Sequence, residues 1–167
     1  MSNDRAADRA AIRELVDRYA GAVDDRRFDA VADLFTEDAV LIAPDPPTAL
    51  GPTVLHEGRD AVRELMAGLA FFTATFHAVH GVVIDPVEDP APEGPDEFTG
   101  RVTCTAHHLS AGEDKHRDLT WQLVYRDRYR RTDDGWRFAR RELRIVSIRT
   151  SNPRSVGPTV DPQEETA

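Results

Sequence analysis

Two histidine pairs mark the chemistry this chain could do: His77 and His80 in "TATFHAVHGVVI", and His107 and His108 in "RVTCTAHHLS". An imidazole titrates near neutral pH, so it can take up a proton and return it, and in its neutral form it can bind a metal. Both pairs sit in stretches that read as β-strands, rich in Val, Thr, Phe and Ile. Successive side chains on a strand point to opposite faces. His77 therefore opposes His80, and His107 opposes His108. A zinc-type site needs three or four donors converging on one point. Opposed pairs do not converge, so no metal site is expected, and acid/base work is the better use of these rings.

Parity assigns one pair. Val102, Cys104, Ala106 and His108 share an apolar face, while Arg101, Thr103, Thr105 and His107 share a polar one. His108 thus points inward, with the small residues Cys104 and Ala106 leaving room beside it. The stretch around His77 is apolar on both faces and does not resolve by itself. A third strand puts Leu119, Trp121, Leu123, Tyr125 and Tyr129 on one face, opposite Gln122, Arg126 and Arg128. In the fourth, Trp136 and Phe138 have one parity and Leu143 and Ile145 the other. That switch predicts a β-bulge near 139–142. It leaves open which of Arg140, Arg141 and Arg144 turns inward.

The elements that must carry these residues follow from hydrophobic period. Ile12, Leu15, Val16, Tyr19 and Val23 form one helical stripe over 5–23. Asp24 follows and, taken alone, reads as a cap for a short helix carrying Phe28, Val31, Leu34 and Phe35. A short strand, "AVLIA", leads into "PDPPTALGPT", whose prolines predict an irregular loop. "GRDAVRELMAGLA" is a third helix with Val62, Leu65, Met66 and Leu69 on one side. Four strands then follow at about 77–85, 98–110, 117–131 and 135–149. "PVEDPAPEGPDE" joins the first two as an exposed loop, and "TDDGW" joins the last two as a hairpin turn. Helices first and antiparallel strands after is an α+β order. The expected organisation is one domain over 1–150 and an aperiodic tail over 151–167, mobile at least beyond Pro158.

Composition excludes several roles. The formal net charge is −9, whereas a nucleic-acid surface needs clustered positive charge. The basic stretch "RDRYRRTDDGWRFARRELR" alternates with apolar residues, which suits the outer face of a sheet. No apolar run approaches a membrane span, and the polar start "MSNDRAADRA" does not read as a secretory signal. The single cysteine, Cys104, rules out an internal disulfide and points to a reducing, cytoplasmic setting. Phosphate loop, dinucleotide fingerprint and nucleophile elbow are all missing, so no cofactor is expected.

The segments "IRELVDRYAGAVDDRRFDAVADLFTEDAV", "HEGRDAVRELM", "FHAVHG" and "YRRTDDGWRFARREL", spanning residues 8–149, resemble the SnoaL-like group of the nuclear transport factor 2-like superfamily. The resemblance implies a cone-shaped α+β barrel, a curved antiparallel sheet wrapped around N-terminal helices with a deep pocket between them. In motif the chain is nearest to the scytalone dehydratases and, more loosely, to the bile-acid 7α-dehydratases. "VDDRRFD" matches the dehydratase aspartate setting and places it on Asp24, with Val23 where that family has tyrosine. "HAVHG" matches the first catalytic histidine and places it on His77. The spacing from Gly100 places the second on His108, the residue parity had already turned inward. The family's serine and asparagine on the next strand fall on Leu123 and Tyr125, so the same substrate is not expected.

The resemblance implies Asp24, His77 and His108 as catalytic residues, moving protons on a small, largely apolar polyketide-, steroid- or terpenoid-like substrate by dehydration or isomerisation beside a carbonyl. Tyr19, Cys104, Trp121 and Tyr125 are the expected substrate-binding residues, with Tyr19 or Tyr125 donating to the substrate oxygen. The same fold also serves as a non-catalytic binding or assembly domain, as a polyketide cyclase, and as the small subunit of ring-hydroxylating oxygenases. The expected partners are a small molecule and further copies of this chain, in a homodimer or homotrimer.

Overall fold

The structure is a computed structural model; it describes residues 2–87, 96–113 and 115–159, with side chains from residue 5 onward. The elements run α1 (Ser2–Asp24), α2 (Phe28–Asp33), β1 (Phe35–Asp45), β2 (Ala49–Glu57), α3 (Arg59–Ala67), a 3-10 turn (Gly68–Phe71), β3 (Ala74–Pro86), β4 (Glu97–Ser110), β5 (Arg117–Thr132) and β6 (Gly135–Ser151). The six strands form one sheet in the order β2-β1-β6-β5-β4-β3. It is curled and unclosed, and the helices fill its concave side. Every neighbouring pair is antiparallel except β1 and β6, which run parallel. The sheet is therefore mixed, within the expected α+β cone. No helix among the described residues is long and apolar enough to cross a membrane.

The α1 stripe is buried as its period requires, with Ile12, Val16 and Val23 all but inaccessible to solvent. It packs on Phe35, Phe138 and Tyr125 through Tyr19, whose ring meets each of the three edge-on at about 6 Å. The second helix is shorter than its sequence suggests. Phe35 begins β1 instead of ending α2, because Leu34 accepts a hydrogen bond from Phe138 N–H and Phe35 pairs with Phe138. Tertiary pairing here overrides the helical spacing of Phe28, Val31, Leu34 and Phe35.

The proline-rich stretch is likewise not an irregular loop. β1 continues to Asp45 and β2 starts at Ala49, making a hairpin with a register shift between Ala43 and Asp45. Pro44 falls at that shift, and Pro52 lies in β2, an edge strand. These are the two places where a strand tolerates a residue without an N–H.

Three further bulges shape the sheet. In β3, Val79 pairs with Cys104 and Gly81 with Thr103, so His80 is an extra residue. Val79 on one side of it and Val82 and Ile84 on the other thereby all face inward, which is why both faces of this stretch look apolar in the sequence. In β6, Phe138 pairs with Tyr129 and Arg140 with Arg128, making Ala139 the extra residue; a second shift falls at Val146. The β5–β6 hairpin turns at Asp133-Asp134, and Gly135, which opens β6, has φ +101°, a conformation glycine adopts without steric cost.

The expected exposed loop over 86–97 lies largely outside the described residues, as does the tail beyond Thr159. β6 runs on to Ser151; past it the described part of the tail has no helix or strand, and Thr159 Oγ1 donates to Thr75 O at 3.3 Å.

Candidate active site

A cavity of about 140 Å³ lies between the helices and the concave face of the sheet. Its walls are Tyr19 from α1, Leu65, Met66 and Leu69 from α3 and the 3-10 turn, Leu41, Ala43 and Pro44 from β1, and Ala106, Trp121, Leu123, Tyr125 and Leu143 from the sheet. Two imidazoles face it, His77 and His108. Their ring centroids are 6.2 Å apart and nearly perpendicular, too far to bond each other and far enough to admit a substrate atom between them.

Asp24 ends α1 and β3 runs past it. The carboxylate takes two hydrogen bonds from His77: Nδ1–H donates to Oδ1 at 2.7 Å, and the backbone N–H donates to Oδ2 at 2.7 Å. Only 7% of the His77 side chain and 11% of the Asp24 side chain are exposed. Burial by itself would raise the Asp24 pKa, but the hydrogen bonds and charge of His77 outweigh it and hold the carboxyl below its ordinary value. Asp24 is therefore ionised, fixes the His77 tautomer, and leaves Nε2 as the basic nitrogen.

His108 is held differently. Its Nδ1–H donates to Leu119 C=O at 3.1 Å; a carbonyl only accepts, so Nε2 is again the lone-pair nitrogen. The Phe72 and Trp121 rings pack against the imidazole at 4.9 and 4.4 Å, tilted by 52° and 49°. Burial pushes its pKa down to about 4, against the bond to Leu119. At neutral pH His108 is an uncharged acceptor.

The other two histidines face away from the cavity, as their strand positions require. His80 Nε2 lies 2.8 Å from Thr105 Oγ1, and His107 Nδ1 lies 2.9 Å from Asp118 Oδ2. No group of three or more His, Cys, Asp or Glu side chains among the described residues is arranged to hold a metal ion.

Of the residues expected at the site, Tyr19, His77, His108, Trp121 and Tyr125 line the cavity. Asp24 reaches it only through His77. Cys104 is buried in the core and is not part of the lining; burial drives its thiol up to about 12, so it stays protonated. Burial also raises the Tyr125 hydroxyl well above its ordinary pKa, keeping it a hydrogen-bond donor.

Sequence reasoning missed the support beneath the tyrosines. Arg141 is fully buried and makes two 2.8 Å bonds to Asp127, one from Nε and one from Nη2. Its guanidinium carbon lies 4.1–4.2 Å from the ring centres of Tyr19, Tyr125 and Phe138, within cation–π range. Tyr129 Oη donates to Asp127 at 2.8 Å. The parity of β5 puts Asp127 between Tyr125 and Tyr129 on the apolar face. A carboxylate there signals a buried cation nearby. The Ala139 bulge hid which arginine supplied it.

With this geometry in view, the relatives are informative. The SnoaL-like domain family matches residues 4–142. The chain belongs to the SnoaL-like domain family. An uncharacterised protein of Mycobacterium tuberculosis is 31% identical over 143 residues, covering 84% of this chain and 87% of the relative. Among solved structures, a Novosphingobium aromaticivorans protein provisionally named a scytalone dehydratase superposes with TM-score 0.72 at 25% identity, over 95% of this chain and 97% of that one. A hexachlorocyclohexane dehydrochlorinase, LinA-type3 from Novosphingobium barchaimii, superposes with TM-score 0.65 at 18% identity, over 94% and 97% of the two chains. That second likeness is one of fold. The SnoaL-like cone of the nuclear transport factor 2-like superfamily is thus the architecture of this chain.

Proposed function

We propose that this SnoaL-like protein is an acid/base enzyme of the dehydratase or isomerase type, acting beside the carbonyl of a small, largely apolar substrate. The observation that carries the proposal is the buried Asp24–His77 dyad facing a neutral His108 across an apolar cavity. His77 Nε2 removes a proton next to the carbonyl, and Asp24 stabilises the imidazolium that forms. The Tyr125 hydroxyl donates to the oxygen on which charge develops. His108 Nε2 accepts a hydrogen bond from a substrate hydroxyl and holds it near His77. The His77 imidazolium then returns its proton, to the departing hydroxyl in a dehydration or to carbon in an isomerisation. Removal of water and removal of hydrogen chloride, the reactions named for the two structural neighbours, are both eliminations of this kind.

The cavity size narrows the substrate. A volume near 140 Å³ is about what a single six-membered ring occupies in a closed apolar site. A monocyclic body fits; a four-ring steroid requires the walls to open.

The test is deuterium exchange. Purified protein is incubated in D₂O with a panel of monocyclic β-hydroxyketones and followed by proton NMR. Exchange beside the carbonyl, or loss of water, in wild type and its disappearance in His77→Ala support the proposal. A panel bound without exchange or turnover makes the protein a binding module instead.

A further inference from the structure

We infer that Arg26 is a positioning residue of the active site: its side chain ties the end of α1, where Asp24 sits, to the cavity roof, the 69–72 segment, whose Leu69 lines the cavity and whose Phe72 packs against His108. Nη1 donates to Leu69 C=O at 2.6 Å and Nη2 to Phe72 C=O at 2.7 Å. The Phe72 ring is tilted by 52° to that of His108. One guanidinium thus joins the segment that holds the Asp24–His77 dyad to the segment that covers the second histidine. A rigid guanidinium fork holds two such acceptors in one fixed geometry.

The backbone gives an independent reason. Arg26 N–H bonds Val23 C=O at 3.1 Å and Arg27 N–H bonds Ala22 C=O at 2.9 Å. That is the double bond of a Schellman helix end, and it places Arg26 at the position where the chain turns left-handed. Arg26 has φ +61° and is the non-glycine residue with positive φ among those described. Glycine is the usual occupant of this position. An arginine there costs backbone strain that glycine avoids. Its place in the turn is explained by what its side chain does at the roof.

The inference builds on the proton-transfer reading, since it assigns Arg26 the spacing between the two histidines and the one-ring size of the cavity. It is testable without a substrate. The variants are Arg26→Gly, which keeps and relaxes the turn, and Arg26→Lys, which keeps the charge but not the fork. The readouts are far-ultraviolet circular dichroism, the His108 ring titration by NMR, and the binding of two probes, phenol and the larger 1-anilinonaphthalene-8-sulfonate. The titratable groups near enough for their charge to act on His108 are His77 on β3, His107 on β4 and Asp118 on β5; none is altered.

In Arg26→Gly, helix content is expected to persist. The His108 titration is expected to rise from about 4 toward the ordinary histidine range as Phe72 lifts. Phenol binding should weaken at least about tenfold and the larger dye should gain access. Added guanidinium ion should reverse these changes, and Arg26→Lys should fall between the two. If Arg26→Gly folds with an unshifted His108 and phenol affinity within about twofold of wild type, the inference is wrong. If Arg26→Gly does not fold, Arg26→Lys decides: wild-type behaviour in both readouts overturns the inference, and a raised His108 titration with weaker phenol binding upholds it. Absence of any turnover in wild type would overturn the proposed function and leave these outcomes readable.

Discussion

Asp24 holds His77 at two points, ring and backbone, so the carboxylate fixes both the tautomer of the imidazole and the position of the strand beneath it. The dyad therefore joins chemistry to architecture, because the same oxygens tie α1 to β3. Asp24→Asn keeps the shape but loses the charge that supports the imidazolium. It should lower turnover less than His77→Ala, for which a loss of about 10²–10⁴-fold is expected. His80→Ala and His107→Ala are the matched controls, since those rings bond Thr105 and Asp118 away from the cavity. Equal, small effects in all of these variants would remove the catalytic reading.

Acid should destabilise the protein through His108. Its folded pKa lies near 4, below the ordinary 6.5. The unfolded chain thus binds a proton between those values that the folded chain refuses. Stability is fully present above about pH 6.5 and falls as pH drops toward 4, by roughly 3 kcal/mol. Asp24, with its depressed pKa, adds a loss in the same direction at still lower pH. Urea titrations at pH 7.5 and 4.5 should show the gap, and His108→Gln should flatten it. A stability unchanged over that interval would contradict the burial assigned to this ring.

Gly100→Ala should destabilise the fold. A Cβ at Gly100 would lie 2.6 Å from the Tyr129 ring and hydroxyl, and Tyr129 is fully buried with its hydroxyl committed to Asp127. The ring cannot swing away, so about 1–3 kcal/mol is expected, read from chemical denaturation. Wild-type stability would mean that the Tyr129 packing is looser than described.

Asp127→Asn leaves the Arg141 charge buried without its counter-ion. A loss of about 3–5 kcal/mol is expected. Exchanging both partners for apolar residues of similar volume, Asp127→Leu with Arg141→Met, should recover much of it. A double variant as unstable as the single one would show that the tyrosine cage needs the cation itself.

How legible these features were in the sequence depended on local regularity. β4 pairs with β5 without interruption from Glu97 to Ser110, so simple alternation turns His108 inward correctly. β3 carries its extra residue at His80, and alternation there yields two apolar faces and no decision about His77. The fold class followed from the order of helical and strand periods. β2 did not, because Pro44, Pro46, Pro47 and Pro52 mask a strand that a bulge and an open edge make possible. Arg141 could not be separated from Arg140 and Arg144 because the Ala139 bulge sits just before them. Arg26 lay outside any motif; only the backbone shows an arginine where a glycine would be at ease.

The bulge at His80 has a consequence for how this sheet could change. Because the residues on either side keep their partners, His80 could be excised and the strand would re-anneal into an unbroken ladder with every side chain on its present face. What would be lost is the local bend and added twist that a bulge imposes, three residues along the strand from His77. The curvature at this site is therefore carried by one surplus residue: a single-codon deletion, not a substitution, is the mutation that would flatten it.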